Sequence, residues 1–155
     1  MLPKVILAPT DLSERAEAAV DYACELANKL GAKVHLLHVL AVPVVGVPEI
    51  GMAMTSTMID TMLIENQTAL DQLARTKSAK CEIAGAVLRT GEARDVINAT
   101  AKEVGADLIV VGTHGRTGVS RVLLGSVAES IVRTAPCPVL TIRDDVESET
   151  KSDAA

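Results

Sequence analysis

The chain has 155 residues, 48% of them hydrophobic and 23% charged, the size and balance of one globular domain with a single sizeable core. It has one Tyr and no Trp or Phe, so the core must come from Val, Ile, Leu, Ala and Met, and the aromatic stacking used by single-strand nucleic-acid binders is nearly unavailable. The net charge is −5, but Asp144 to Ala155 hold five acids against one lysine. The near-neutral remainder offers no surface for nucleic acid or an anionic membrane.

Val5 to Ala8 is a short apolar run, read as a buried strand. From Ser13 the period changes: Ala16, Ala19, Val20, Ala23, Leu26, Ala27 and Leu30 mark one face of a helix, stopped by Gly31. Lys33 to Leu40 is the second strand. The connection Ala41 to Met52 follows, with Pro43, Gly46, Pro48 and Gly51; it is apolar apart from Glu49 and is expected to cover a pocket or pack on a partner. A helix is expected from about Ala53 to Arg75 with Met58, Met62, Ala69, Leu70 and Leu73 inward. Glu82 to Leu88 reads as a third strand and Ala93 to Val104 as a helix ended by Gly105. Asp107 to Val111 is a fourth strand, Gly112 to Gly125 a glycine-rich loop, Ser126 to Thr134 a helix and Pro138 to Ile142 a fifth strand.

Strict alternation of strand and helix predicts an α/β fold: a single open five-stranded parallel sheet with helices on both faces, Rossmann-like, over residues 1–143. Residues 144–155 read as an acidic disordered tail. Cys24, Cys81 and Cys137 form no CxxC pair and are expected as reduced thiols of a cytoplasmic protein. No signal-peptide pattern opens the sequence, and the longest apolar stretch, Val39 to Pro48, is too short to span a bilayer. Neither the cysteines nor His35, His38 and His114 cluster as metal ligands.

In open parallel sheets ligands sit beyond the carboxyl ends of the strands, where strand order reverses. Pro9-Thr10-Asp11 and the segment Gly112 to Ser126 are expected to meet there. Glycines at 112, 115 and 118 allow close backbone approach. Gly125-Ser126 opens a helix, whose free N–H groups make an anion site. Ser126 with Glu129 also has capping-box form, as does Asp11 with Glu14. His114 is the one candidate acid or base in the loop, and it has no identifiable carboxylate partner. Arg116 can reach a terminal phosphate, and Arg121 reads as a solvated or gating residue. Cys137, between two prolines, reads as a small buried apolar residue. The phosphate loop GxxxxGK[ST] and a GxGxxG after the first strand are both absent.

Gly112-x2-Gly115-x9-Gly125-Ser126, followed by Val127, resembles the nucleotide motif of the universal stress proteins, G-x2-G-x9-G-[ST]. Lys4 to Asp11 resembles that family's opening strand, His35 to Val39 its second and Pro136 to Leu140 its last, so the resemblance spans residues 3–143. It implies an adenine-nucleotide-alpha-hydrolase-like fold and a stress-response regulator that binds ATP or AMP, with Mg²⁺ admissible alongside ATP. It implies that Asp11 and Gly112 lie against the ribose, that Val39 meets the adenine edge through its backbone, and that Pro9 and Thr10 shape the adenine pocket. Val111 would complete the pocket beside Gly112. Gly115, Gly125, Ser126 and Val127 would hold the phosphates, with Arg116 nearby. A homodimer through the last strand, Pro138 to Ile142, with pairing centred on Leu140 to Ile142, is implied as well. The enzyme alternative is a slow ATPase or nucleotidyl-transfer relative. Such relatives carry HxGH or SGGxDS after the first strand, where this chain has Pro9-Thr-Asp-Leu-Ser13.

Overall fold

The computed structural model describes residues 1–42, 55–113 and 124–143. These form β1 (Val5–Thr10), α1 (Glu14–Leu30), β2 (Lys33–Leu40), α2 (Ser56–Ser78), β3 (Ile83–Thr90), α3 (Ala93–Glu103), β4 (Leu108–Gly112), α4 (Ser126–Thr134) and β5 (Val139–Ile142). All pairings are parallel and the strand order is β3-β2-β1-β4-β5. The fold is therefore the expected open five-stranded sheet, with order reversing between β1 and β4. No helix among the described residues is long and apolar enough to cross a membrane.

Side-chain alternation divides the core in two. Ile6, Ala8, Val34, Leu36, Leu108 and Val110 pack on one face with Val20, Ala23 and Ala27 of α1 and Leu70 of α2. Leu7, Leu37, Ile109 and Val111 pack on the other with Ile97 and Ala101 of α3 and Ala128 and Ile131 of α4. Helix α1 ends as its sequence predicts: Gly31 takes φ 62°, which costs an L side chain but not glycine.

Two inward assignments in α2 are corrected. Met58 and Ala69 face outward; the inner stripe runs through Leu70, Leu73, Ala74 and Lys77. Lys77, 1% exposed, sits between α1 and α2 with its Nζ 2.6 Å from Glu17 Oε1 and 2.7 Å from Asp21 Oδ1. The expectation of three reduced, scattered thiols is also corrected. Cys24 of α1 and Cys81, just after α2, are joined in a disulfide with Cα atoms 5.2 Å apart. Cys137 is free and half-buried against the other core. Burial raises its thiol pKa, and the charge of Asp107 adds to the rise.

β1 runs past its predicted end at Ala8 to take in Pro9 and Thr10. Proline is unusual in a central strand because it has no N–H for the ladder. Val5 accepts from Asp107 N, so residues 5, 7 and 9 turn their backbone groups toward β4. The β1–β4 register covers Ile6↔Leu108 and Leu7↔Ile109 and stops where Pro9 would be the next donor. On its other side β1 pairs with β2 along its whole length, to Thr10↔His38. Pro9 thus marks where the sheet opens at its switch point.

Candidate functional site at the β1–β4 switch point

The carboxyl end of β1 is shaped by side chains bonding to the backbone. Thr10 Oγ1 accepts from Leu12 N at 3.0 Å, and Asp11 Oδ1 accepts from Ser13 N at 2.9 Å and from the Ser13 hydroxyl. Between these turns Leu12 takes φ 64°, a left-handed conformation uncommon for leucine. Its side chain still packs on the α1 core. The cap of α1 is Ser13, whose Oγ accepts from Ala16 N at 3.2 Å. The capping-box reading of Asp11 with Glu14 is therefore corrected: Asp11 lies two residues before the cap and orients it.

Beneath this turn, His38 is 4% exposed. Its Nδ1 lies 2.8 Å from the Thr10 carbonyl oxygen and its Nε2 lies 3.0 Å from Asn66 Oδ1 of α2. His38 thus ties the tip of β1 to α2, with Val39 the next residue along β2. That bridge was not foreseen, although the register that pairs Thr10 with His38 follows from the two strands' positions. His35 lies on the opposite face, half-buried over Gly85, where an added Cβ would come within 3.1 Å of its Nδ1. Burial pushes its imidazole pKa down, and the charge of Lys33 adds to the effect.

On the β4 side Val111 is buried, Gly112 is half-buried and Thr113 is buried. Thr113 N donates to Ile142 O at 3.0 Å, and Thr113 O accepts from Gly125 N at 2.8 Å. An added Cβ at Gly125 would stand 2.6 Å from that oxygen, so only glycine allows this closure. The two ends of the glycine-rich segment are pinned together directly beyond β4. His114, Gly115, Arg116, Gly118 and Arg121 lie outside the described residues, as do residues 43–52 of the apolar connection, residues 53–54 after it and the tail from 144.

Gly125 is also the N-cap of α4, with no side-chain cap bond; Glu129 N bonds to Gly125 O, and Glu129 pairs with Arg133. The capping box of Ser126 with Glu129 is corrected accordingly: Ser126 is the first helical residue. Since Gly125 N is taken by Thr113, the first-turn donors of α4 are the N–H groups of Ser126, Val127 and Ala128, which have no partner within the helix. Ser126 and Val127 are exposed. This is a helix N-terminus of the kind that binds anions, set beside the open end of the sheet.

Fold and crevice together define a class: a doubly wound α/β domain with its ligand position at the topological switch point. The universal stress protein family description matches residues 3–143, and the chain belongs to that family. It is 36% identical over 145 residues to universal stress protein MJ0531 of Methanocaldococcus jannaschii, covering 92% of this chain and 83% of the relative. The solved structure of MJ0577 from the same organism superposes with a TM-score of 0.77 at 26% identity, covering 92% of this chain and 97% of that one. The universal stress protein of Archaeoglobus fulgidus in complex with dAMP superposes at 0.64 with 27% identity, covering 92% and 99%.

Proposed function

We propose that this chain is a cytoplasmic adenine-nucleotide-binding regulator of the stress response, taking ATP or AMP in the β1–β4 crevice and acting as a sensor or switch. The observation that carries the reading is the N-terminus of α4, with Ser126, Val127 and Ala128 N–H groups beside the pinned Thr113–Gly125 closure. The dAMP complex of the Archaeoglobus relative supports the ligand class.

In this reading Pro9, Thr10 and Val111 wall the adenine pocket, the Val39 backbone reads the adenine edge, and Asp11 and Gly112 contact the ribose. Ser126 and Val127 hold phosphate, while Gly125 contributes by allowing the backbones to meet. The motif also assigns phosphate contact to Gly115 and Arg116. Mg²⁺ accompanies ATP if the triphosphate is the ligand. The protein works as a homodimer through β5.

Ser126→Asp separates a phosphate site from an ordinary helix start. A carboxylate in the first turn stabilises a helix by about 0.3–1 kcal/mol through the helix dipole. The same charge repels a bound phosphate. Thermal unfolding of Ser126→Asp should therefore hold or rise, while calorimetric titration with AMP or ATP shows affinity reduced by roughly tenfold or more. Equal affinity for the variant and the parent would rule α4 out as the phosphate site. A parent protein that binds neither nucleotide would end the proposal.

A further inference from the structure

We propose that Cys24 and Cys81 are a peroxide-reactive pair whose disulfide closes and opens on the folded chain, locking α1 to the α2–β3 turn. The two sulfurs come from positions 57 residues apart and lie in the same buried cluster, Cys24 at 1% and Cys81 at 7% exposure. Their placement does not depend on the bond. Glu17, Asp21, Cys24 and Asn28 follow one another at four-, three- and four-residue steps, a single stripe along α1. Three of them hold the end of α2 and its turn without covalent help. Glu17 and Asp21 grip Lys77; Asp21 also meets Lys80 at 3.2 Å, and Asn28 Nδ2 donates to the Lys80 carbonyl. Cys81 N in turn donates to the Lys77 carbonyl at 3.0 Å. Cys24 and Cys81 lie in the same seam, within the apolar cluster that α1 and α2 share, so in the reduced protein the seam already brings the thiols face to face. Cys137 packs in the other core across the sheet and does not compete.

The chemistry balances with one peroxide molecule. Cys81, the more exposed of the two, takes one oxygen to become a sulfenic acid and releases water. The Cys24 thiol attacks that sulfur, the S–S bond forms and a second water leaves, so the two thiols have given up two protons and two electrons to the peroxide. A dithiol reductant returns them. In a compartment whose thiol pool is reducing, such a bond is transient rather than a permanent staple.

The test uses the full chain, reduced, desalted and treated with hydrogen peroxide without denaturant. Intact mass should show the loss of two hydrogens, and an unreduced digest should contain the Cys24–Cys81 peptide with Cys137 still open to alkylation. The thermal midpoint should rise by about 5–10 °C and fall back with dithiothreitol, since the bond closes a long loop of the unfolded chain. Cys81→Ser and Cys24→Ala should each remove the rise; the second keeps the test valid if a serine destabilises the core. The proposal is overturned if peroxide leaves both thiols alkylatable on unfolding. It is equally overturned if the bond forms only in denaturant, or if the oxidised midpoint does not rise. None of these readouts depends on nucleotide.

Discussion

Pro9 stands at the second-last position of the central strand with its ring nitrogen toward β4, and the β1–β4 ladder ends two residues earlier, at Leu7. Pro9→Ala would supply the missing donor in register with the Val110 carbonyl, extending the ladder into the crevice. Two effects on stability oppose each other. A hydrogen bond gains about 1 kcal/mol, while losing proline's restriction of the unfolded chain costs about 0.4–1 kcal/mol. Thermal stability should therefore move little. Nucleotide affinity should fall roughly tenfold because the space between the strand ends narrows. An unchanged titration with AMP would mean that Pro9 does not hold the crevice open.

Between α1 and α2, Lys77 spends its side chain in the seam with only its ammonium matched, by Glu17 and Asp21. For Asp21, burial acts to raise the carboxyl pKa, but the hydrogen bonds and charges of Lys77 and Lys80 outweigh it and hold the pKa below the ordinary value. For Lys77, burial acts to lower the ammonium pKa, and the bonds and charges of Asp21 and Glu17 raise it above the ordinary value. The sign follows for each group. The Asp21 contribution is present above the unfolded pKa of about 3.9 and is lost as pH falls through the lower folded value. The Lys77 contribution is present below about 10.4 and is lost as pH rises through the higher folded value. Lys77→Met keeps the packing, and both acids are more than a third exposed and can rehydrate. The expected cost at pH 7 is on the order of 1 kcal/mol, and it should shrink as pH falls below about 4 and the Asp21 contribution is lost toward its lowered folded value. Urea unfolding at pH 7 and pH 3 measures both, and a cost that is the same at the two values would place it in packing rather than in the ion pairs. Lys77 also marks where the sequence stops being legible. The limits of β2 and α4 are legible, because β2 is an apolar run between Gly31 and the proline- and glycine-bearing connection and α4 has one clear helical period. Helix α2 carries Met58, Ile59, Met62, Leu63, Ile64, Ala69 and Leu70 around much of its circumference, so periodicity leaves its phase open, and a buried lysine reads as surface. At the site, the ends of β1 and β4 are legible as the switch point, with Asp11 following one and Gly112 ending the other. The Thr113–Gly125 closure and the His38 bridge are contacts between segments that only the assembled sheet brings together. Both capping boxes misplaced their caps: in the first, Asp11 bonds to Ser13 and leaves Ser13, inside the pattern, as the cap, and in the second the cap is Gly125, one residue before the pattern, held by the Thr113 carbonyl.

At the scale of the whole molecule, β5 is an edge of the sheet with no further strand beyond it among the described residues, and the strand's four residues are all half-buried. An edge of Val, Leu, Thr and Ile is a ready template for another strand. Beside it α4 leaves Val127 and Val132 exposed, at 41% and 50%. In a two-fold dimer β5 meets its own copy, and a strand facing itself across a two-fold axis pairs antiparallel. The register says which groups are available. Ile109 N donates to the Pro138 carbonyl and Thr113 N to the Ile142 carbonyl, so residues 138, 140 and 142 face β4. The outward groups are those of Val139, Thr141 and Arg143, so within the expected Leu140 to Ile142 stretch the outward N–H is that of Thr141 and not that of Leu140. Thr141→Pro removes an outward N–H and leaves the β4 ladder its donors, whereas Leu140→Pro would break the β4 ladder itself. Thr141→Pro should therefore sediment as a monomer at micromolar concentration while keeping its helical circular dichroism and its unfolding cooperativity. A parent protein that sediments as a monomer, or a folded Thr141→Pro that remains a dimer, would exclude pairing through β5. In the second case the exposed valines of α4 become the surface to substitute next, because they are the apolar area beside the edge that a strand-independent dimer would still bury.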